Sequence, residues 1–566
     1  MKKIYIISLL LSVVCLSVYA ASEAEYGKLA KTYTLNADGS QEFRYNMELT
    51  LFTHTAMNRT YGESFIIYNP KFQELKIHTS YTRQKDGTII QTPENAFVEV
   101  LPRQAANAPA FNHLKEMVVV HTGFELGATI YLDYSIISKP GYLPELDIRD
   151  AIAQTSPVKD YTITVQVPEN KPLFYALSNL NVKPSVNNTN GIKQIRWKIR
   201  NLPAASRAPQ VTALAGDAAL LTVSSYASNT EALKVLNKQL TPSGNMPALS
   251  LAETVTEGKI SDTEKLYAIL NHVIDNLGNS PLSLAETGYK IRSIDNVNPS
   301  AYGTEAEKVN LLASLLNAMN IKAEVIAAYL NKADINTCGL NAIDELFVAA
   351  KADGKQYLLT PKKKSMSDAG WYTHTGQLAS ISNPGQAVAI EIPSANLDYI
   401  YSITLSPEKA EIQSNATIGN AFVPYNEKGK KDITGKTEQP LELFNNKIAL
   451  LSLPEPPNSL SNASYKNYNT KREENLLLPY KAKENFTYTI QLPADMELNS
   501  PETVKTVDNT VGKTVYSVRQ DGNLVEVKRT LEMKKQLISP ADYPAFRQLI
   551  TEWTDINKCQ LLFKLN

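Results

Sequence analysis

From Tyr26 to about Leu221 the chain alternates apolar and polar residues in short runs. Tyr161, Ile163, Val165 and Val167 are separated by polar partners, as are Ile130, Leu132, Tyr134 and Ile136, and again Ile195, Trp197 and Ile199. A two-residue period places each set on one face of a strand, so every such run predicts a strand with one face in a core. Asp86-Gly87 and Asn190-Gly191 lie beside these runs, and both dipeptides tolerate the positive φ that tight hairpins require. Residues 22–225 therefore predict an all-β region of one or two antiparallel β-sandwiches. The proline-bearing stretch from Leu202 to Pro209 is the expected seam leading out of it.

Past Tyr226 the period changes to three and four. Ser261 with Glu264 forms a capping-box signature, followed by Leu266, Ile269, Leu270, Val273, Ile274 and Leu277 as one apolar stripe. His272 sits inside this predicted helix, where a structural or exposed role is expected. A second helix is predicted after Gly303, with Val309, Leu312, Leu315, Leu316 and Met319 as its buried face and Asn320 as its stop. Strands should follow at Ala323 to Tyr329 and at Leu346 to Lys351, the latter turning at Asp353-Gly354 into Gln356 to Leu359. Helices followed by a sheet over residues 226–393 predict an α+β domain. Strand patterns return over 394–566, including Phe486, Tyr488, Ile490 and Leu492, and a hairpin at Asp521-Gly522. A closing helix is predicted to begin at Ser539-Pro540 and to dock through Phe546, Leu549, Ile550 and Trp553. Between Pro424 and Asn469 the polar, proline-rich sequence predicts long loops or edge strands.

The first residues depart from both patterns. Lys2 and Lys3 precede an apolar run from Ile4 to Val18 that ends in small residues, the pattern of a secretory signal peptide over residues 1–21 cut after Ala20 or Ala21. Export to the periplasm or cell surface is the expectation. Val14 before Cys15 is unlike the small residue that a lipid-attachment site needs. Lys plus Arg and Asp plus Glu balance at 57 each, which lacks the basic footprint of a nucleic-acid binder. The Lys362 to Lys364 cluster reads as solvated surface. Removal of the leader leaves Cys338 and Cys559, too few for a disulfide scaffold, and the sequence leaves open whether they pair.

Tyr302-Gly303-Thr304-Glu305-Ala306-Glu307-Lys308, running into an apolar helix and then Asn320-Ile321-Lys322-Ala323, resembles the nucleophile region of transglutaminase-like proteins. The N-terminal β region, with Lys85 to Ile90 and Pro93 to Ala96, resembles the uncharacterised β domain that accompanies this family in Gram-negative bacteria, and the final β block resembles its C-terminal companion. The resemblance implies a papain-like α+β centre. It also implies a cysteine at a helix N-terminus, where the dipole and free amides favour the thiolate, with a histidine base and an orienting aspartate on the next two strands. Those places are taken here by Glu305, Glu345 and Thr360. A carboxylate does not replace a thiolate in acyl transfer, so no catalytic residue is expected from that triad.

The chain therefore reads as an exported multidomain pseudoenzyme acting as a binding or scaffold module for a peptide, glycan or envelope protein, with no cofactor. Tyr302, Trp371 and His374 are candidate cleft-lining residues. The alternative is an enzyme with relocated chemistry. One form uses Glu305 and Glu345 as a hydrolase pair, which requires roughly 5 to 9.5 Å between carboxyls; the other uses Cys338 for amide chemistry. No histidine or cysteine is spaced to complete a metal site with the two glutamates. If those glutamates face each other, repulsion should leave Glu345, away from the helix N-terminus, as the proton holder.

Overall fold

The computed structural model describes residues 22–565 apart from 207–216, 243, 330–333, 335, 336, 368, 376, 426–430, 446 and 463–470. The leader expected over 1–21 and part of the expected seam lie outside the described residues. The protein is mostly β, with several sheets and multiple domains.

The alternating segments do form strands. Val158–Pro168 buries Tyr161, Ile163 and Val165 completely, and they join Leu29, Leu49, Ile130, Trp197 and Ile199 in one core. Strands Ser185–Thr189, Ile192–Leu202, Val158–Pro168, Ala24–Leu35, Gln41–Leu51, Thr129–Ser138, Gln73–Arg83 and Ile89–Gln91 lie in that order in an eight-stranded sheet. Asn190 and Gly191 both take positive φ in the turn joining the first two. The all-antiparallel expectation needs correction. Ala24–Leu35 pairs antiparallel with Gln41–Leu51 on one side but parallel with Val158–Pro168 on the other. Alternation has the same period in both pairings, so strand direction is not written in it. Two three-stranded sheets accompany the large one. One is built from Glu63–Tyr68, Lys115–Val120 and Phe97–Val100.

The central region has its own core, running from Tyr226 through Ile381 with Tyr425 and Leu477 added. Helix Asp262–Asp275 begins with the expected capping box: Ser261 Oγ accepts from the Glu264 N–H at 3.1 Å, and Glu264 Oε2 accepts from the Ser261 N–H at 3.0 Å. Ser261→Ala should lower stability by about 1 kcal/mol, read as a shift of the denaturant midpoint; an unchanged midpoint would mean solvent serves those amides equally well. Helix Glu305–Ala318 packs on a four-stranded sheet ordered Lys355–Leu359, Ile343–Ala352, Ala323–Tyr329 and Leu378–Ser380. Asn320 follows that helix at φ 60°, and the hairpin at Asp353 and Gly354 uses positive φ at both residues.

In the C-terminal region a seven-stranded sheet again sets one pair parallel, Asn396–Leu405 beside Lys483–Gln491. The polar stretch after Pro424 supplies edge strands Asp432–Pro440 and Glu442–Phe444. The closing helix starts at Tyr543, capped at Asp542, rather than at Pro540 capped by Ser539. Ser539 and Asp542 instead bond each other, Ser539 Oγ accepting from the Asp542 N–H at 3.2 Å and donating to Asp542 Oδ2 at 2.8 Å. That local turn delays helix entry by three residues. Phe546, Leu549, Ile550 and Trp553 are buried as the periodicity requires.

Candidate functional site

The site is organised around the first turn of helix Glu305–Ala318. Thr304 caps it, with Glu307 completing a second capping box. Glu307 is 0% exposed and is gripped bidentately by Arg292, Nε to Oε1 at 2.8 Å and Nη2 to Oε2 at 2.9 Å. The Arg292 guanidinium is stacked over the rings of Phe111 and Tyr302, at 5.3 and 4.6 Å from their centroids. Lys308 is also buried, donating to the Leu277 carbonyl at 3.0 Å and to Asn279 Oδ1 at 2.7 Å, and burial pushes its pKa down to about 8. The helix mouth is thus fixed by buried charge on two sides, which places Glu305, the first helical residue, against strand Ile343–Ala352.

There Glu305 Oε1 accepts from the Leu346 N–H at 3.0 Å. Lys362 Nζ lies 3.2 Å from Glu305 Oε2 and 3.4 Å from Glu345 Oε1, bridging the two carboxylates. Tyr372 OH donates to Glu345 Oε2 at 2.7 Å and lies 3.1 Å from Asp344 Oδ2. Arg149, from the N-terminal β region, ends the chain of contacts at Asp344 Oδ1, 2.7 Å away. Burial raises the Glu305 pKa; Lys362 and the Leu346 amide oppose the rise and Glu345 adds to it. Burial works against the Lys362 charge, but the two glutamates outweigh it and the Lys362 pKa is raised.

Two expectations change here. Lys362 is not idle surface but the cation between the glutamates, while Lys364 does remain an exposed ion pair with Asp275. The bare glutamate pair is replaced by a carboxylate–ammonium–carboxylate bridge, and the raised carboxylate is Glu305. Thr360 is 9% exposed, its hydroxyl accepting from the Lys362 N–H at 3.3 Å. It shares a small cavity with Glu345, Lys362, Trp371 and Tyr372. His374 lies in helix Ala369–Thr375, and its side chain is outside the described residues. Tyr302 is drawn away from the site. Its OH accepts from the Ala110 N–H at 2.6 Å, and it packs on the satellite core of Ala105, Ala108, Phe111, Leu114 and Leu282. His272 bonds Asn298 and Asn276 on its helix surface.

Cys338 and Cys559 are both free. Cys338 lines a different cavity from Glu305. Burial pushes its pKa up to about 12, with the Asp147 charge adding to the rise. That is opposite to what an activated nucleophile needs. Among the described residues no group of three or more His, Cys, Asp or Glu is placed to hold a metal ion, and no helix is long and apolar enough to cross a membrane.

A cavity of about 400 Å³ opens above Glu305, lined also by Arg149, Thr304, Asp344 and Glu345, with Leu282, Leu284 and Leu346 as apolar wall. It lies on the seam between the β region and the central region. The seam is tight beside it, where Asn341 N–H donates to Asp147 Oδ2 at 2.9 Å. Gly339 is needed there because a Cβ would come within 2.5 Å of the Asp147 carboxyl. Burial pushes Asp147 up to about 7, even though backbone N–H groups of Asn341 and Leu340 favour its charge. Of this network, Lys362 carries a sequence signal: it stands two residues past Thr360, at the end of the strand where the resemblance places an orienting residue. Arg149 carries none, since a contact across 195 residues has no local pattern.

Comparison with known proteins brings out two domain families and several solved structures. The profile of DUF3857, a domain of unknown function with a solved structure, matches residues 37–206, and that of DUF3858, described likewise, matches 448–563. A crystal structure described as "a putative protease" from Parabacteroides distasonis is 42% identical, covers 96% of this chain and 99% of its own, and superposes with a TM-score of 0.83. A "putative cysteine protease" from Cytophaga hutchinsonii is 13% identical over 53% of this chain and 89% of its own, with a TM-score of 0.20. An M1 zinc metallopeptidase from Deinococcus radiodurans is 13% identical over 51% and 62%, with a TM-score of 0.19. No curated protein matches.

Proposed function

The chain belongs to the transglutaminase-like family marked by DUF3857 and DUF3858, and from that premise we propose that its central domain is a papain-like scaffold kept for binding rather than catalysis. Its ligand in this reading is a peptide segment of a partner protein, bound across the Glu305 cavity in the periplasm or at the cell surface. Residues 22–225, 226–393 and 394–566 serve as the three domains in this reading, supported by the three largest hydrophobic cores, of which the central one also takes in Tyr425 and Leu477.

The observation that carries the reading is the Glu305–Lys362–Glu345 bridge. Glu305 occupies the first position of the helix, where the resemblance puts a thiolate. Glu345 and Thr360 take the places of base and orienter. A helix N-terminus that would activate a cysteine here receives a carboxylate, whose charge is matched by Lys362 and the Leu346 amide. Such an arrangement holds the helix against the sheet and presents polar groups to a cavity, but supplies no nucleophile for an amide carbonyl. The hydrolase alternative loses support from the same bridge, since one ammonium ties up an oxygen of each carboxylate that the reaction would use.

Purified protein is expected to show no amidase, transamidase or protease turnover on casein or on glutamine-containing peptides, and Cys338→Ser should behave as wild type. Turnover blocked by iodoacetamide would overturn the non-catalytic reading. Turnover lost in Glu345→Gln but insensitive to iodoacetamide would move the assignment to the carboxylate hydrolase.

A further inference from the structure

A second cavity, of about 270 Å³, lies on the same seam and shares Ala285 and Asn341 with the Glu305 cavity. The two cavities are therefore neighbours on that seam, meeting at Ala285 and Asn341. The β region supplies most of its wall. Tyr33 and Phe43 come from the large sheet, with ring centroids 5.0 Å apart, and Ile67 and Tyr68 come from the edge strand Glu63–Tyr68 of a small sheet.

Its polar groups are unequally occupied. Gln73 Nε2 donates to Ser138 Oγ at 3.0 Å, and Gln73 Oε1 accepts from the Asn69 N–H at 2.8 Å. Asn69 Nδ2 donates to Tyr142 OH at 3.3 Å. Gln41 differs: it is 6% exposed, it lines the cavity, and its Nε2 finds no acceptor in the protein. A buried amide donor left unpaired is costly, so a ligand acceptor at this place answers a deficit that the protein itself leaves open. The charged groups lining the cavity are the carboxylates of Glu42, Asp147 and Glu286, with no lysine or arginine among them.

These features select a ligand. The carboxyl groups of Glu42, Glu286 and the buried Asp147, with no base among them, disfavour an anion. A saccharide would ask for several free donors and acceptors, whereas Asn69, Gln73 and Ser138 already satisfy one another and the rest of the wall is largely aliphatic and aromatic. We infer that this cavity is a side-chain pocket of the cleft, taking an apolar or aromatic side chain from a peptide segment without negative charge, with the Gln41 amide donating to a backbone carbonyl of that segment. The inference rests on the reading of the cleft as a peptide site. It gives the N-terminal β domain the task of choosing the ligand.

The test uses the full chain and acetyl-Gly-Gly-Xaa-Gly-Gly-amide peptides with Xaa as Phe, Leu, Lys, Glu or Gly, titrated by saturation-transfer NMR. The Phe or Leu peptide is expected to bind roughly tenfold or more tighter than the Gly and Glu peptides. Ile67→Trp, on an edge strand that tolerates bulk, should fill the pocket and reduce every peptide to the Gly level. Gln41→Leu should weaken the Phe peptide roughly tenfold while leaving the fold at least as stable, because it removes the unpaired donor. Equal binding of all five peptides, unaffected by Ile67→Trp but weakened by Arg149→Ala, would overturn the pocket and leave the cleft reading standing. Absence of binding by any peptide to wild type would overturn the cleft reading itself. Binding of chitotetraose that Ile67→Trp abolishes, without any peptide preference, would overturn the pocket's assignment in favour of a glycan.

Discussion

Replacing Arg292 with alanine is expected to destabilise the central domain by about 3–5 kcal/mol, the usual consequence of stranding one member of a buried ion pair. Glu307 has no exposure, and both its oxygens are held by Arg292. Oε2 also accepts from the Thr304 N–H at 2.8 Å, so the same carboxylate closes the helix mouth. Without the Arg292 side chain the carboxylate keeps two backbone partners, the Thr304 N–H and the N–H of residue 292 itself at 3.3 Å, but loses its counter-ion. The ring stack of Phe111 and Tyr302 loses its cation as well, which loosens the β region's hold on the site. Arg292→Lys should recover part of the loss, since an ammonium supplies charge but not the planar fork. Urea unfolding followed by tryptophan fluorescence measures this. A loss below about 1 kcal/mol would mean that water reaches Glu307 and screens it.

Lys362→Met should cost about 1–2 kcal/mol at pH 8 and almost nothing at pH 4, the figure being discounted because Lys362 is half exposed. The sign follows from proton counting. Glu305 has a raised folded pKa, so its contribution is fully present below the unfolded glutamate pKa and is lost as pH rises through the folded value. Removing the lysine raises the folded value further, by taking away attraction and leaving Glu345 opposite. The variant therefore falls away from wild type as pH increases, and Glu345→Gln in the Lys362→Met background should restore much of the difference. Parallel unfolding curves at pH 4 and pH 8 decide the matter. A loss equal at both would mean that Lys362 acts through its packed stem and not its charge.

Local signals in the sequence translate well into this fold. The capping box at Ser261, the turn pairs Asn190-Gly191 and Asp353-Gly354, and the helix after Gly303 each depend on residues within a turn or two, and each forms where its pattern stands, although that helix is buried on all sides from Ala306 to Leu316 and not on one face. Partners far apart in the chain are another matter. The parallel pairing of Ala24–Leu35 and the reach of Arg149 to Asp344 are set by topology and leave no mark on neighbouring residues. Lys362 shows the intermediate case. Its charge is plain in the sequence, but the burial of Glu305 and Glu345 beside it is not, and a lysine among lysines reads as surface until its counter-ions are placed. Tyr302 errs in the other direction, since a residue next to the site in sequence is taken up by an interdomain contact with Ala110.

The strand Ala24–Leu35 lies between Gln41–Leu51, a few residues away, and Val158–Pro168. As the chain emerges its hairpin with Gln41–Leu51 is available early, and Thr129–Ser138 can add to the far side of that hairpin when it appears, with Gln73–Arg83 joining beyond it. The other edge stays unpaired until Val158–Pro168 has emerged, so until then a row of free amides and carbonyls faces outward beside an apolar surface. Closing so long a loop makes the domain one of high contact order, slow to finish and open to edge-to-edge association while it waits. Yield should therefore respond to conditions that lengthen or shorten that interval, such as the rate of chain emergence and temperature, more than to the stability of the finished sheet.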